Sequence, residues 1–255
     1  MIHPTAIIDP AAEIGSDCEI GPYCIIGPGV VLGDGCRLQH HVTLCGPSRI
    51  GRNNRFFAYG SIGQQTQDLK YKTEPTYLEI GDDNTFREFV TVHRATSPGD
   101  ATKIGHRGNF LAYAHIAHDC IVGDDVIFSN NGTLAGHVIV EDHAIVGGLT
   151  AIHQFCRIGR FAMLGGCTKI IQDVPPFTIA DGNPAEIRGI NKVGLERNGF
   201  EAGEIRALRD AYKILYRKNL HLKEAIAQIR SAVEVTPAIG QLLAFCETSP
   251  RGITR

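Results

Sequence analysis

Aliphatic or aromatic residues recur every six positions over the first two thirds of the chain. Ile2, Ile8, Ile14, Ile20, Ile26, Leu32, Leu38, Leu44, Ile50, Phe56 and Ile62 keep this spacing without a break. The phase returns at Ile80, Phe86 and Val92, and again from Ile104 through Ile116, Leu134 and Ile152 to Ile170. The interruptions, residues 68–79 and 98–103, are each a whole multiple of six. Four residues after each aliphatic stands a small residue: Ala6, Ala12, Cys18, Cys24 and Cys36 early, and Ala114, Cys120, Gly132 and Cys156 later. Side chains alternate across a strand, so the small residue and the aliphatic two places on share one face. Glycine, aspartate and asparagine fill the remaining positions, as in Gly15-Ser16-Asp17 and Gly33-Asp34-Gly35. Each unit therefore predicts one short strand and one corner.

The hexads resemble the hexapeptide-repeat acyltransferase superfamily, and the likeness spans roughly residues 2 to 180. It implies a mainly β fold, a left-handed parallel β-helix in which three hexads make one triangular coil. The handedness comes from the resemblance alone, because the general rule for parallel crossovers favours the right-handed sense. The resemblance also implies a homotrimer, in which outward apolar residues such as Phe57 and Phe89 become buried.

After Ile170 the repeat gives way to Asp173-Val174-Pro175-Pro176 and Gly182-Asn183-Pro184, turns that stop the coil. Helical spacing follows. Ile205, Leu208, Tyr212 and Leu215 form one stripe; Leu222, Ala225, Ile226, Ile229 and Val233 form another; Pro237 opens a third helix bearing Leu242 and Leu243. The expected organisation is a β-helix over 1–189 and a small helical domain over 190–255.

Composition narrows the setting. A net charge of −2 on 255 residues points to neither nucleic acid nor an anionic membrane surface, and no apolar run reaches the length of a membrane span. The start, Met1-Ile2-His3-Pro4, has no basic or apolar leader segment, so the eight cysteines are read as thiols of a reducing cytoplasm. Cys18, Cys24, Cys36, Cys120 and Cys156 occupy the inward small column and are expected to pack in the core.

Candidate chemistry gathers between Ala114 and Cys156. Residues 18 apart lie over one another in a three-hexad coil, about 4.8 Å apart, which puts His118, Gly136 and Gln154 in one column. His137 and His153 are one residue off that column, and His115 precedes it by half a hexad. A histidine at a corner is exposed and titrates near neutrality, as a general base toward an alcohol must. Asp119 can orient His118 at such a corner. Gly136 can offer a bare N–H to an oxyanion, or can simply be a turn glycine. The segment Gln67-Asp68-Leu69-Lys70-Tyr71 must leave the coil as a loop, solvated or functional.

Together with Ala114-His115-Ile116-Ala117-His118-Asp119-Cys120, Leu134-Ala135-Gly136-His137, His153-Gln154-Phe155-Cys156 and the closing Arg251-Gly252-Ile253, that loop resembles the family of UDP-N-acetylglucosamine O-acyltransferases of lipid A synthesis. The resemblance implies transfer of an R-3-hydroxyacyl group from acyl carrier protein to the sugar 3-hydroxyl, with no cofactor, metal or integral membrane contact. It makes His118 the base, Asp119 its support and the Gly136 amide the oxyanion donor. It puts Asp68, Lys70, His115, His137, His153 and Gln154 on the sugar, nucleotide or acyl chain. Asn191 and Arg197 would reach the nucleotide, and Gly166 would leave room for a long chain; a plain linker and a tight corner are the alternatives. The family often carries a second basic residue where this chain has Asn198, and an acidic one where Val193 stands. Arg157, Arg160 and Lys169 have no intervening carboxylate and would suit an acidic carrier, although solvated charges explain them better.

Three rival readings are weaker, and the first, a scaffold with no chemistry, has no use for convergent histidines. A metal-dependent hydratase of the carbonic anhydrase type would use His118 and His137 as zinc ligands, but its ligand spacing is absent. The N-acyltransferase of the same pathway normally carries an additional N-terminal domain, for which a repeat starting at Ile2 leaves no room.

Overall fold

The computed structural model describes residues 1–255. Each hexad forms a strand of as few as two residues, such as Ile7–Ile8, Glu13–Ile14 and Glu19–Ile20, followed by a corner. Strands this short have no independent stability; they hold because each pairs in parallel with its equivalent one coil away. Ile7 lies opposite Ile25, Glu13 opposite Val31 and Glu19 opposite Arg37, all 18 residues apart. Three sheets result, of nine, eight and ten strands, and the chain visits them in rotation. They are the faces of a triangular prism, a left-handed parallel β-helix.

The interior follows the two predicted columns. Cys24, Ile26, Val30, Leu32, Cys36 and their equivalents up to Ile170 are buried in one continuous core, and all eight cysteines are free thiols. Phe56, Phe86, Phe110 and Phe128 stack along the prism axis with ring centroids 5.0, 4.8 and 5.3 Å apart. That spacing matches the distance between layers, so one aromatic per coil fills the interior without a gap.

Both excursions from the repeat leave at the same edge. One runs from the end of strand Ser61–Gln64 to the start of Tyr77–Ile80, the other from the end of Thr91–His93 to the start of Ala101–Ile104. Each joins the nine-stranded face to the eight-stranded face. The next coil makes the same passage through Ala117-His118-Asp119-Cys120, between strands His115–Ile116 and Ile121–Val122. Two loops and the histidine corner are thus stacked in adjacent layers.

Strand Glu186–Ile190 closes the ten-stranded face by pairing antiparallel with Thr178–Asp181. Four helices follow: α1 (Lys192–Arg197), α2 (Ala202–Arg217), α3 (Leu222–Ala232) and α4 (Pro237–Thr248). The last three carry the expected apolar stripes. The spacing did not reveal α1, because a six-residue helix with one buried residue, Leu195, has no period to read. The helices form their own core, which takes in Phe161 and Phe177 from the coil. The chain end returns to the prism: Ile253 is bridged to Asp173, and Thr254 N–H donates to the Asp173 carbonyl at 2.7 Å. No helix is long and apolar enough to cross a membrane.

Candidate active site

His118 and Asp119 sit at the corner between strands His115–Ile116 and Ile121–Val122. Asp119 adopts a left-handed backbone conformation, φ 60°, which turns its side chain back toward that of its neighbour. His118 Nδ1 lies 2.7 Å from Asp119 Oδ2. The other carboxylate oxygen, Oδ1, accepts the Thr96 amide at 3.1 Å. Burial alone would raise the Asp119 pKa, but hydrogen bonds from His118 and from the Thr96 amide and hydroxyl, with the nearby His137, hold it below the ordinary carboxylate value. An ionised carboxylate only accepts, so Nδ1 carries the imidazole proton and Nε2 presents a lone pair.

The imidazole lies on Gly136. A Cβ added there would stand 2.3 Å from His118 Cε1 and 2.6 Å from Nε2. The Gly136 amide donates to nothing in the protein, whereas Ala135 and His137 on either side donate to Ile152 and His118 carbonyls at 3.0 Å. His137 Nε2 is 3.6 Å from Asp119 Oδ2, and its ring stacks on Phe155 at 4.7 Å.

The excursions complete the surroundings with residues that the repeat could not identify. The Thr96 hydroxyl lies 3.0 Å from His118 Nδ1 and 2.8 Å from the Thr66 hydroxyl. Thr66 Oγ1 accepts the Asp68 amide at 3.1 Å, and Asp68 Oδ1 accepts the Lys70 amide at 2.9 Å. An unbroken chain of hydrogen bonds therefore runs from the Asp68–Lys70 loop to the dyad. Residues 64–69, Tyr71 and His93 line a cavity of about 590 Å³ beside it.

His93 is 6% exposed, its Nδ1 has no partner, and its ring meets that of His115 edge-on at 5.0 Å. His115 Nδ1 lies 2.7 Å from Thr91 Oγ1. Burial, then the neighbouring His115 and His118, push the His93 pKa down to about 4; burial and then His118 lower that of His115. An unfolded histidine protonates near 6.5, so folding is favoured by neutral His93 above that pH. The contribution is lost as the pH falls from about 6.5 through about 4. Denaturant midpoints taken from pH 7.5 to 4.5 should fall more steeply for wild type than for His93→Gln; parallel curves would refute this.

Other expected site residues are spread over the prism. His153 and Gln154 are exposed one layer above Gly136, on the dyad edge. Gly166 lies on the edge between the ten- and nine-stranded faces, where a Cβ added to it would stand 3.4 Å from the Gly148 carbonyl oxygen. Asn191 lies against Phe161, at the edge between the eight- and ten-stranded faces. Its amide is engaged by the chain itself: Nδ2 donates to the Phe161 carbonyl at 3.0 Å, and Oδ1 accepts the Gly194 N–H at 3.1 Å as the cap of α1. Arg197 is exposed at the end of that helix. Arg157 and Arg160 are not the unaccompanied cations that the linear sequence suggested. The layer below supplies Glu141 to Arg157 and Asp142 to Arg160, and Arg157 also covers the Phe245 ring at 4.3 Å.

Residues 173–254 match the family described as Udp N-acetylglucosamine O-acyltransferase, Domain 2, and residues 1–34 match the bacterial transferase hexapeptide family. The acyl-[acyl-carrier-protein]–UDP-N-acetylglucosamine O-acyltransferase of Herminiimonas arsenicoxydans is 49% identical over 210 residues, 80% of each chain. LpxA from Acinetobacter baumannii superposes with a TM-score of 0.96 at 49% identity, over 100% of this chain and 99% of the other. The UDP-N-acetylglucosamine acyltransferase of Bacteroides fragilis gives 0.98 at 38% identity over the whole of both chains. With a dyad, an adjoining free amide and this likeness along coil and helices alike, the chain belongs to the UDP-N-acetylglucosamine O-acyltransferase family.

Proposed function

We propose that this protein transfers an R-3-hydroxyacyl chain from acyl carrier protein to the 3-hydroxyl of UDP-N-acetylglucosamine, the first step of lipid A synthesis, in the cytoplasm. The reading is carried by one observation: His118 is oriented by Asp119 through Nδ1 while its ring lies on Gly136, beside an amide with no partner. Nε2 takes the proton of the sugar hydroxyl as its oxygen attacks the thioester carbonyl. The oxyanion forms near the Gly136 N–H, and the carrier thiol leaves with the proton from His118. A bound base acting this way contributes about 10² to 10⁴ in rate, and one oriented oxyanion donor about 10² to 10³.

Asp68, Lys70, His115, His137, His153 and Gln154 form the substrate surface around the dyad. Gly166, Asn191 and Arg197 contribute from other edges, which one prism cannot turn toward its own dyad. A homotrimer resolves this, since side-by-side packing sets another edge of one copy against the dyad edge of the next. Arg197 is the better nucleotide ligand of the helical pair, because the Asn191 amide already caps α1.

The test is a transfer assay with UDP-N-acetylglucosamine and a panel of R-3-hydroxyacyl carrier proteins. An ester at the sugar 3-hydroxyl is expected for at least one chain length; no turnover with any donor would overturn the proposal. Thr96→Val should lower kcat about tenfold with little change in KM, as expected for one hydrogen bond worth about 1.4 kcal/mol. Thr96→Ser should restore kcat.

A further inference from the structure

The dyad corner contains more than a base and its support. A ring nitrogen of His118, a carboxylate oxygen of Asp119 and a ring nitrogen of His137 all lie within 4.8 Å of one another. Asp119 Oδ2 is the common member, 2.7 Å from His118 Nδ1 and 3.6 Å from His137 Nε2. A tetrahedral ion with bonds of about 2.0–2.2 Å needs ligand atoms about 3.3–3.6 Å apart. The His137–Asp119 separation meets the upper end of that range, the His118–Asp119 pair stands about 0.6 Å inside its lower end and would open to admit an ion, and the third separation is no more than 4.8 Å.

The ligands are also held in place before any ion arrives. The Thr96 amide fixes the Asp119 carboxylate through Oδ1, leaving Oδ2 to face the imidazoles. Phe155 fixes the His137 ring by stacking at an interplanar angle of 13°. The His137 side chain is 37% exposed, so an ion here would keep an open side for water. Two imidazoles and one carboxylate suit Zn²⁺, Co²⁺ or Ni²⁺ and disfavour Mg²⁺ and Ca²⁺, which take oxygen ligands.

We propose that His118, Asp119 and His137 form a binding site for a zinc-class divalent cation, and that its occupancy inhibits acyl transfer. Coordination through His118 Nδ1 uses the lone pair of the other tautomer. The single imidazole proton then resides on Nε2, where the base needs an empty lone pair, so metal and catalysis are mutually exclusive. The inhibitory half rests on the reading of His118 as the base; the binding half does not.

Elsewhere the chain offers weaker metal ligands: the exposed thiol of Cys167, and the pair His40 and His41, whose Nδ1 atoms are 3.0 Å apart. The experiment therefore uses the full-length Cys167→Ser protein, titrated with zinc sulfate by calorimetry and with Co²⁺ by visible absorption. The expected result is one tight equivalent with a cobalt spectrum free of thiolate charge transfer. Binding should be roughly tenfold or more weaker in Asp119→Asn and His137→Ala and unchanged in His40→Ala. Transfer should fall in step with occupancy and return on adding EDTA. Equal zinc affinity in wild type, Asp119→Asn and His137→Ala would overturn the site. No tight equivalent in a protein that catalyses normally would do the same while leaving the acyltransferase reading intact. Stoichiometric binding with undiminished transfer would overturn the inhibitory half and, with it, the role of His118 as base.

Discussion

His118→Ala should lower kcat/KM for acyl transfer at least a hundredfold, within the span of about 10² to 10⁴ for losing a general base. The loss should fall on kcat more than on KM, because the proton transfer develops in the transition state. The geometry also predicts what accompanies it. Asp119 remains anchored by the Thr96 amide, so Asp119→Asn in the His118→Ala background should cost little more, whereas alone it should cost much because Nδ1–H loses its charged acceptor. Steady-state rates of the two single variants and the double variant decide this. Turnover within a few-fold of wild type in His118→Ala would remove the imidazole from the mechanism.

Gly136→Ala is expected to be nearly as damaging, at about 10² to 10³ in kcat, although it adds a single methyl group. Gly136 does not occupy the left-handed region, so alanine suits the backbone and the thermal midpoint should change little. The harm is local, because the new Cβ would occupy the space of His118 Cε1 at 2.3 Å. The imidazole must swing away, which breaks its alignment with Asp119 and shields the neighbouring amide. If displacement of the ring is the cause, Gly136→Ala should cost much less in a His118→Ala background. An unchanged cost there would instead assign the effect to the amide, and wild-type rates in Gly136→Ala would refute both roles.

The repeat made the scaffold legible because a period of six leaves so few alternatives. Ile116 lies opposite Leu134, and Leu134 opposite Ile152, as counting in eighteens requires. The same counting put His118 beside Gly136. It also puts Gly166 twelve residues beyond Gln154, on another edge, a consequence that sequence motifs alone obscured. Thr66 and Thr96 were beyond reach because both lie on excursions, where no period relates a residue to the layer it joins. Glu141 and Asp142 escaped notice as partners for Arg157 and Arg160 because those contacts form between layers and not along the chain. The role of Asn191 had a signal, an amide side chain three residues before Gly194, but the helix that it caps was too short to announce itself.

Both excursions depart from one edge, and the strands that follow them regain their pairing at once: Leu78 lies opposite Ser48 below and Thr102 above. A loop there can lengthen, shorten or be exchanged without shifting any layer of the prism. The edge can therefore change in length and chemistry under selection while the folding of the column is left untouched, and a graft of residues 65–76 from a relative should keep the thermal midpoint of the parent.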